Sequence, residues 1–199
     1  MSPPKLDEIT QALAAGDVVA VPTDTVYGLA VDPSAPGAVD RVFALKQRPE
    51  QFQLPVLIAD PTGLVGLAQA TASVERLISR YWPGPLTIVL PRLTGVTFDL
   101  GGDPATIGVR CPDSPLLREL LRRTGPLAVT SANRHGEPPL RTAGEVRRRF
   151  GAGVTVVLDG GRCDRTPSTV ISLASPDAKC LREGAIPFAE IAASLAACS

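Results

Sequence analysis

Histidine is nearly absent from this chain of 199 residues: His135 is the only one, and it stands in Arg134-His135-Gly136-Glu137-Pro138-Pro139. A Ser/His/Asp triad would have to rest on it, and in so proline-rich a loop a solvated side chain is the simpler reading. The four cysteines, Cys111, Cys163, Cys180 and Cys198, are widely spaced without a CxxC pair, which argues against a zinc site of the usual Cys/His kind and for reduced thiols. Five Phe, two Tyr and one Trp are too few for an aromatic platform that stacks single strands. No segment is apolar for the eighteen or so residues of a membrane span, and Met1-Ser2-Pro3-Pro4-Lys5-Leu6-Asp7-Glu8 has no apolar signal-peptide core, so the expected setting is cytoplasmic with no membrane. Lys and Arg together number 20, as do Asp and Glu, for a formal net charge of zero; any anion site must be local. Phosphate-binding GxxxxGK[ST] and GxGxxG loops are missing too, and Asp159-Gly160-Gly161 is too short to count.

What is present reads as one domain spanning 1–199, an α/β fold with helices covering a mixed sheet. Leu6, Ile9 and Leu13 with Gly16 behind them predict an opening amphipathic helix. Val18 to Val21 is a buried strand, and Pro22, lacking an N–H, stops it and leaves Thr23, Asp24, Thr25 and Tyr27 at its carboxyl end. A helix follows from about Pro36 to Lys46, then a strand over Leu54–Ala59, a helix begun by Asp60-Pro61, and another from about Ser73 to Tyr81. Strands are expected at Leu86–Leu90, Ala105–Val109, Leu127–Val129, Val154–Leu158, Thr169–Leu173 and Lys179–Arg182. Helices are expected over Pro115–Arg123, from the capping box Thr142-Ala143-Gly144-Glu145 to Phe150, and around Phe188, Ile191 and Leu195.

Hydroxyls and guanidiniums gather just after apolar runs: Thr23/Asp24/Thr25/Tyr27, Arg110, Thr130/Ser131/Asn133 and Ser168. Each alone could be an ordinary strand-end turn. Together with Lys46, Arg48 and Arg182 they suit a polyanion, because arginine offers a planar fork to carboxylate or phosphate and lysine a mobile point charge. Lys46 falls on the apolar side of its helix with Val39, Val42 and Phe43, so it either snorkels past the core beside the negative helix end or turns toward a ligand.

Pro22-Thr23-Asp24-Thr25-Val26-Tyr27-Gly28-Leu29 and Lys46-Gln47-Arg48-Pro49 resemble the signature of the YrdC-domain family, the threonylcarbamoyl-AMP synthases. Trp82-Pro83-Gly84-Pro85-Leu86-Thr87, Ile107-Gly108-Val109-Arg110-Cys111-Pro112, Thr130-Ser131-Ala132-Asn133, Pro167-Ser168-Thr169-Val170 and Leu181-Arg182-Glu183-Gly184 resemble the same family in the same order. The resemblance implies a YrdC/RibB-like fold, a twisted mixed sheet around a deep, positively lined groove. It implies condensation of L-threonine, bicarbonate or carbon dioxide, and ATP to threonylcarbamoyl-AMP and pyrophosphate, for threonylcarbamoyladenosine beside the tRNA anticodon.

Lys46, Arg48, Thr106, Ser131, Asn133 and Arg182 fall where the family binds ATP, with Lys46 and Arg48 expected to neutralise charge on the phosphates. Thr23, Tyr27, Arg110 and Ser168 fall where it holds threonine. Mg2+ would arrive with ATP, and no dedicated metal site is expected. The implied partners are the enzymes that transfer the threonylcarbamoyl group to tRNA. Two positions depart from the family pattern: Glu50-Gln51-Phe52 offers no lysine, and Leu57 stands where some members have histidine. The chain resembles the short bacterial form, since it ends soon after Gly184.

Two other readings compete with this one. A double-stranded RNA-binding or ribosome-assembly module could use Arg147-Arg148-Arg149, although a solvated helix face explains that run more simply and zero net charge leaves only weak RNA binding. The carbamoyl-transfer role of such domains in hydrogenase maturation needs additional domains and zinc-binding cysteines that this chain does not carry.

Overall fold

The computed structural model describes residues 4–49 and 51–196; the sequence expectations on Met1, Ser2, Pro3, Glu50 and Cys198 lie outside them. The helices are α1 (Pro4–Ala14), α2 (Ala38–Lys46), α3 (Ala72–Tyr81), α4 (Pro115–Thr124), α5 (Ala143–Phe150) and α6 (Phe188–Ala196). The strands are β1 (Val19–Pro22), β2 (Tyr27–Val31), β3 (Val56–Leu57), β4 (Leu86–Pro91), β5 (Thr106–Arg110), β6 (Leu127–Ser131), β7 (Val156–Val157), β8 (Thr169–Ser172) and β9 (Lys179–Arg182). They form one mixed sheet in the order β7-β1-β2-β6-β3-β5-β4-β8-β9.

The helix starts follow from side chains that satisfy orphan N–H groups. Thr71 caps α3 through Val74, Ser114 caps α4 through Leu117 with Pro115 behind it, and Thr142 with Glu145 closes a capping box on α5. Asp60 caps as expected, but the helix it starts is 3-10 over Pro61–Gly66, with Gly63 and Gly66 inside it.

The sequence reading missed β2. Tyr27 does not trail the first strand; it opens a second one that pairs antiparallel with β1, Val21 opposite Gly28. The hydroxyl cluster is therefore a hairpin turn. Expected strands over Leu54–Ala59 and Val154–Leu158 shrink to Val56–Leu57 and Val156–Val157.

Alternation along the strands sorts the core into two clusters. Ala20, Leu29, Val31, Leu86, Ile88, Ile107 and Val109 pack with residues of α2, α3, α5 and α6 on one face. Val19, Val21, Ala30, Val129 and Val156 pack with α1 and α4 on the other. That second set of helices meets only the β7-β1-β2-β6-β3 half of its face. On the remaining half, Thr87 and Val89 of β4, Thr106, Gly108 and Arg110 of β5, and Val170 of β8 line a cavity instead.

Gly28 sits where the hairpin meets β6. A Cβ there would lie 2.6 Å from Val129 Cγ1 and 3.3 Å from the Thr130 carbonyl oxygen. Gly28→Ala is expected to destabilise the chain by about 1–3 kcal/mol through overpacking. A lowered urea midpoint at unchanged slope checks it; an unchanged midpoint would mean that β2 and β6 separate freely.

Candidate functional site

The cavity encloses about 680 Å3, within the roughly 300–1,000 Å3 of small-molecule sites. Thr23, Tyr27, Arg48, Thr106, Arg110, Ser131, Asn133, Ser168 and Arg182 all line it. Residues from both ends of the chain thus converge on the uncovered half-face. Lys46 alone of the expected set does not line it.

Thr23 builds the hairpin turn. Its hydroxyl donates to the Val26 carbonyl oxygen at 2.7 Å and accepts from the Thr25 and Val26 amides at 3.0 and 3.2 Å. This is the local side-chain bonding that makes threonine favour turns. The Tyr27 hydroxyl is likewise engaged, donating to the Gly161 carbonyl at 2.9 Å and accepting from the Gly160 amide at 3.2 Å. Burial raises its pKa above the ordinary phenol value.

The turn aims Asp24 at Arg110. The two form an ion pair with side chains 2% and 7% exposed, and Arg110 Nε donates to the Gly84 carbonyl at 2.9 Å. Burial pulls the Arg110 pKa down and Asp24 opposes that pull. The second carboxylate oxygen of Asp24 is buried and, among the described residues, has no partner.

Helix α2 ends at Gln47, which has φ 53 and ψ 42, left-handed values uncommon outside glycine. The reversal sends Lys46 and Arg48 different ways. Lys46 is 1% exposed, and its Nζ donates to the carbonyl oxygens of Ser131 and Asn133 and, at 3.4 Å, to Asn133 Oδ1. It ties α2 to the Thr130–Asn133 segment from beneath the cavity wall. Burial, with the Arg48 charge adding to it, pushes the Lys46 pKa down to about 7. Arg48 faces the cavity, donating to the Phe52 carbonyl at 3.1 Å with its guanidinium 5.4 Å from the Phe52 ring centroid.

Arg182 enters from β9. Its Nε and Nη2 hold the Ser168 carbonyl at 3.2 and 2.7 Å, and Nη2 also donates to the Ser168 hydroxyl at 3.1 Å. Burial lowers the pKa of Arg48, and Arg182 lowers it further. Burial and then Arg110 lower that of Arg182. Four cations thus stand in a series with Asp24 against only the last. Among the described residues, no carboxylate lies within salt-bridge distance of Lys46, Arg48 or Arg182.

Thr106 closes one side, with its carbonyl accepting from Gln53 Nε2 at 2.9 Å. Gln53 also accepts the Gly108 amide at 3.2 Å and so straps the 51–53 segment onto β5. Leu57 and Phe52, the two departures from the family pattern, both line the cavity; the exposed His135 stacks on Phe52 with ring centroids 5.2 Å apart. Sequence reasoning did not single out Gln53, Thr87 or Leu181, all of which line the cavity. Thr87 and Leu181 both belong to the family motifs given above, and for Thr87 the alternation with the apolar Leu86 and Ile88 is the available signal.

No group of three or more His, Cys, Asp or Glu among the described residues could hold a metal ion, and no described helix is long and apolar enough to cross a membrane. In the arginine run of α5, Arg147 donates to the Val157 carbonyl and Arg149 pairs with Glu137.

Residues 11–184 match the Sua5/YciO/YrdC family model, described as "Telomere recombination". The threonylcarbamoyl-AMP synthase of Yersinia enterocolitica is 40% identical over 163 residues, 79% of this chain and 86% of that protein. That of Photobacterium profundum is 36% identical over 183 residues, 90% and 98% respectively. Among solved structures, Pyrococcus abyssi Sua5 complexed with L-threonine superposes with a TM-score of 0.91 at 34% identity, covering 98% of this chain and 58% of that one. Matched by the family model over most of its length, with the cavity built from the motifs in which the resemblance was read, the chain belongs to the Sua5/YciO/YrdC family.

Proposed function

We infer that this chain is a threonylcarbamoyl-AMP synthase, a nucleotidyltransferase that joins L-threonine, bicarbonate or carbon dioxide, and ATP, and releases pyrophosphate. One observation carries the reading beyond family membership: Arg48 and Arg182 both line the cavity, near enough for one charge to act on the other, and no carboxylate of the described residues pairs with either; Glu183, the one carboxylate in the lining, accepts from the Phe188 amide instead. Such a wall is complementary to a polyphosphate. The relatives' name and the threonine complex of Pyrococcus abyssi Sua5 support the substrates.

The threonine amine captures carbon dioxide to form N-carboxythreonine, losing a proton. The new carboxylate attacks the α-phosphorus of ATP, the bond from the α-phosphorus to its bridging oxygen breaks, and pyrophosphate leaves. Arg48 and Arg182 neutralise charge developing on the phosphates, and Arg110, held by Asp24, offers its cavity side to the amino-acid carboxylate. Nothing here requires a covalent protein intermediate; positioning and charge neutralisation suffice. Magnesium enters as part of the MgATP substrate, because the polar lining of the cavity is mostly hydroxyl, amide and guanidinium, with Glu183 its single carboxylate and that one engaged by the Phe188 amide. Lys46 acts from below, holding the Ser131 and Asn133 carbonyls and lending its charge to the phosphate end. The product is destined for the enzymes that place the threonylcarbamoyl group on tRNA.

Pyrophosphate release from MgATP should require both L-threonine and bicarbonate, and the adenylate should appear by mass spectrometry. Release independent of threonine would contradict the reading. Arg48→Ala should lower the rate by about 10²-fold or more, with the melting temperature close to that of the wild type.

Proton linkage tests Lys46. Its free-state pKa is about 7, so about one pH unit above that it is mostly neutral, and an incoming triphosphate raises the pKa and favours its protonation. ATP binding there should take up protons, read as a dependence of calorimetric enthalpy on buffer ionisation, and Lys46→Met should abolish the uptake. Equal uptake in both proteins would remove Lys46 from the phosphate site.

A further inference from the structure

Thr87 belongs to no part of the machinery described so far. It lies on β4 in register with Val170 of β8, lines the cavity and is 3% exposed. Its hydroxyl shares a hydrogen bond of 3.2 Å with that of Ser168, itself 5% exposed, and makes no other among the described residues. Ser168 Oγ also accepts from Arg182 Nη2 at 3.1 Å, while Nη1 of Arg182 makes no hydrogen bond among the described residues.

Proton counting then constrains the pair. A hydroxyl has one proton and two lone pairs. Thr87 and Ser168 own two protons, and their mutual bond uses one. With Arg182 on one lone pair of Ser168 and Thr87 donating to the other, Ser168 is saturated as an acceptor. Its own proton is left to point into the cavity. An anionic oxygen placed there selects that arrangement, since the alternative turns the Ser168 proton back onto Thr87.

We infer that Thr87 is a positioning residue which, by donating to Ser168, makes the Ser168 hydroxyl an obligate donor to a carboxylate oxygen of the amino-acid substrate. This rests on the synthase reading. The saturated oxygen cannot accept from an ammonium group, so the pair also rejects the amino acid bound in the reversed sense. Thr87 thereby sets the polarity of a group it holds, without touching the reacting atoms.

Thr87→Val keeps the shape and removes the donor. The expected result is a KM for L-threonine raised about 10-fold, the scale of one charge-assisted hydrogen bond, with kcat and the KM for ATP within about twofold of wild type. Thr87→Ser should restore the wild-type KM. Because Thr87 acts through Ser168, adding Thr87→Val to Ser168→Ala should cost nothing further. Unchanged threonine kinetics in Thr87→Val, losses that add in the double variant, or failure of the serine variant to rescue would overturn the role. Should the valine variant not fold, Thr87→Ala carries the same comparison. A wild-type protein without threonine-dependent pyrophosphate release would instead overturn the synthase reading itself.

Discussion

Like charge held at close quarters is the constraint on which this structure turns. Lys46, Arg48, Arg182 and Arg110 each feel the next, and among the described residues only Asp24 forms an ion pair with any of them. Bringing four partly desolvated cations together costs free energy that a surface arrangement would avoid. The fold bears that cost through local anchors: a salt bridge on Arg110, two carbonyls and an amide oxygen on Lys46, and the Ser168 carbonyl on Arg182. These anchors fix positions, but save for Asp24 they do not cancel charge. A bound polyanion would.

The same cations would collapse outward to solvent on a flexible loop; here the sheet prevents it. One face is covered from β7 to β8 by α2, α3, α5 and α6, with the edge strand β9 left exposed, and the other only where α1 and α4 lie. Period-two alternation then gives β4, β5 and β8 an apolar side that joins the core and a side bearing Thr87, Thr106, Gly108 and Arg110 that does not. The cavity is the part of the sheet that the chain leaves without helices, and its floor is as rigid as the core beneath it.

Much of this was legible in the residues. The capping box at Thr142/Glu145 and the apolar stripe over Pro115–Arg123 predicted helices, and the clusters after apolar runs pointed to the segments that line the cavity, because those signals are local. What was not legible depended on partners distant in sequence. Tyr27 to Val31 reads as the end of a polar cluster until β6 pairs with it. Helix periodicity put Lys46 on the apolar side and left two readings open. The structure combines them: the side chain is buried like a core residue, yet its ammonium holds the carbonyls of a cavity-lining segment. Thr87 looked like one more strand residue, since its meaning lies in a hydroxyl eighty-one positions away.

The central claim is that the cavity wall is electrostatically incomplete without a polyphosphate, and thermal unfolding in inorganic triphosphate tests it without any reference to catalysis. A ligand that binds only the folded chain raises its melting temperature with concentration. The account predicts such a rise with triphosphate, weakened by salt and lost in an Arg48→Gln/Arg182→Gln variant, and little or none with uncharged adenosine. Equal stabilisation by adenosine, or no response to triphosphate at low ionic strength, would contradict it.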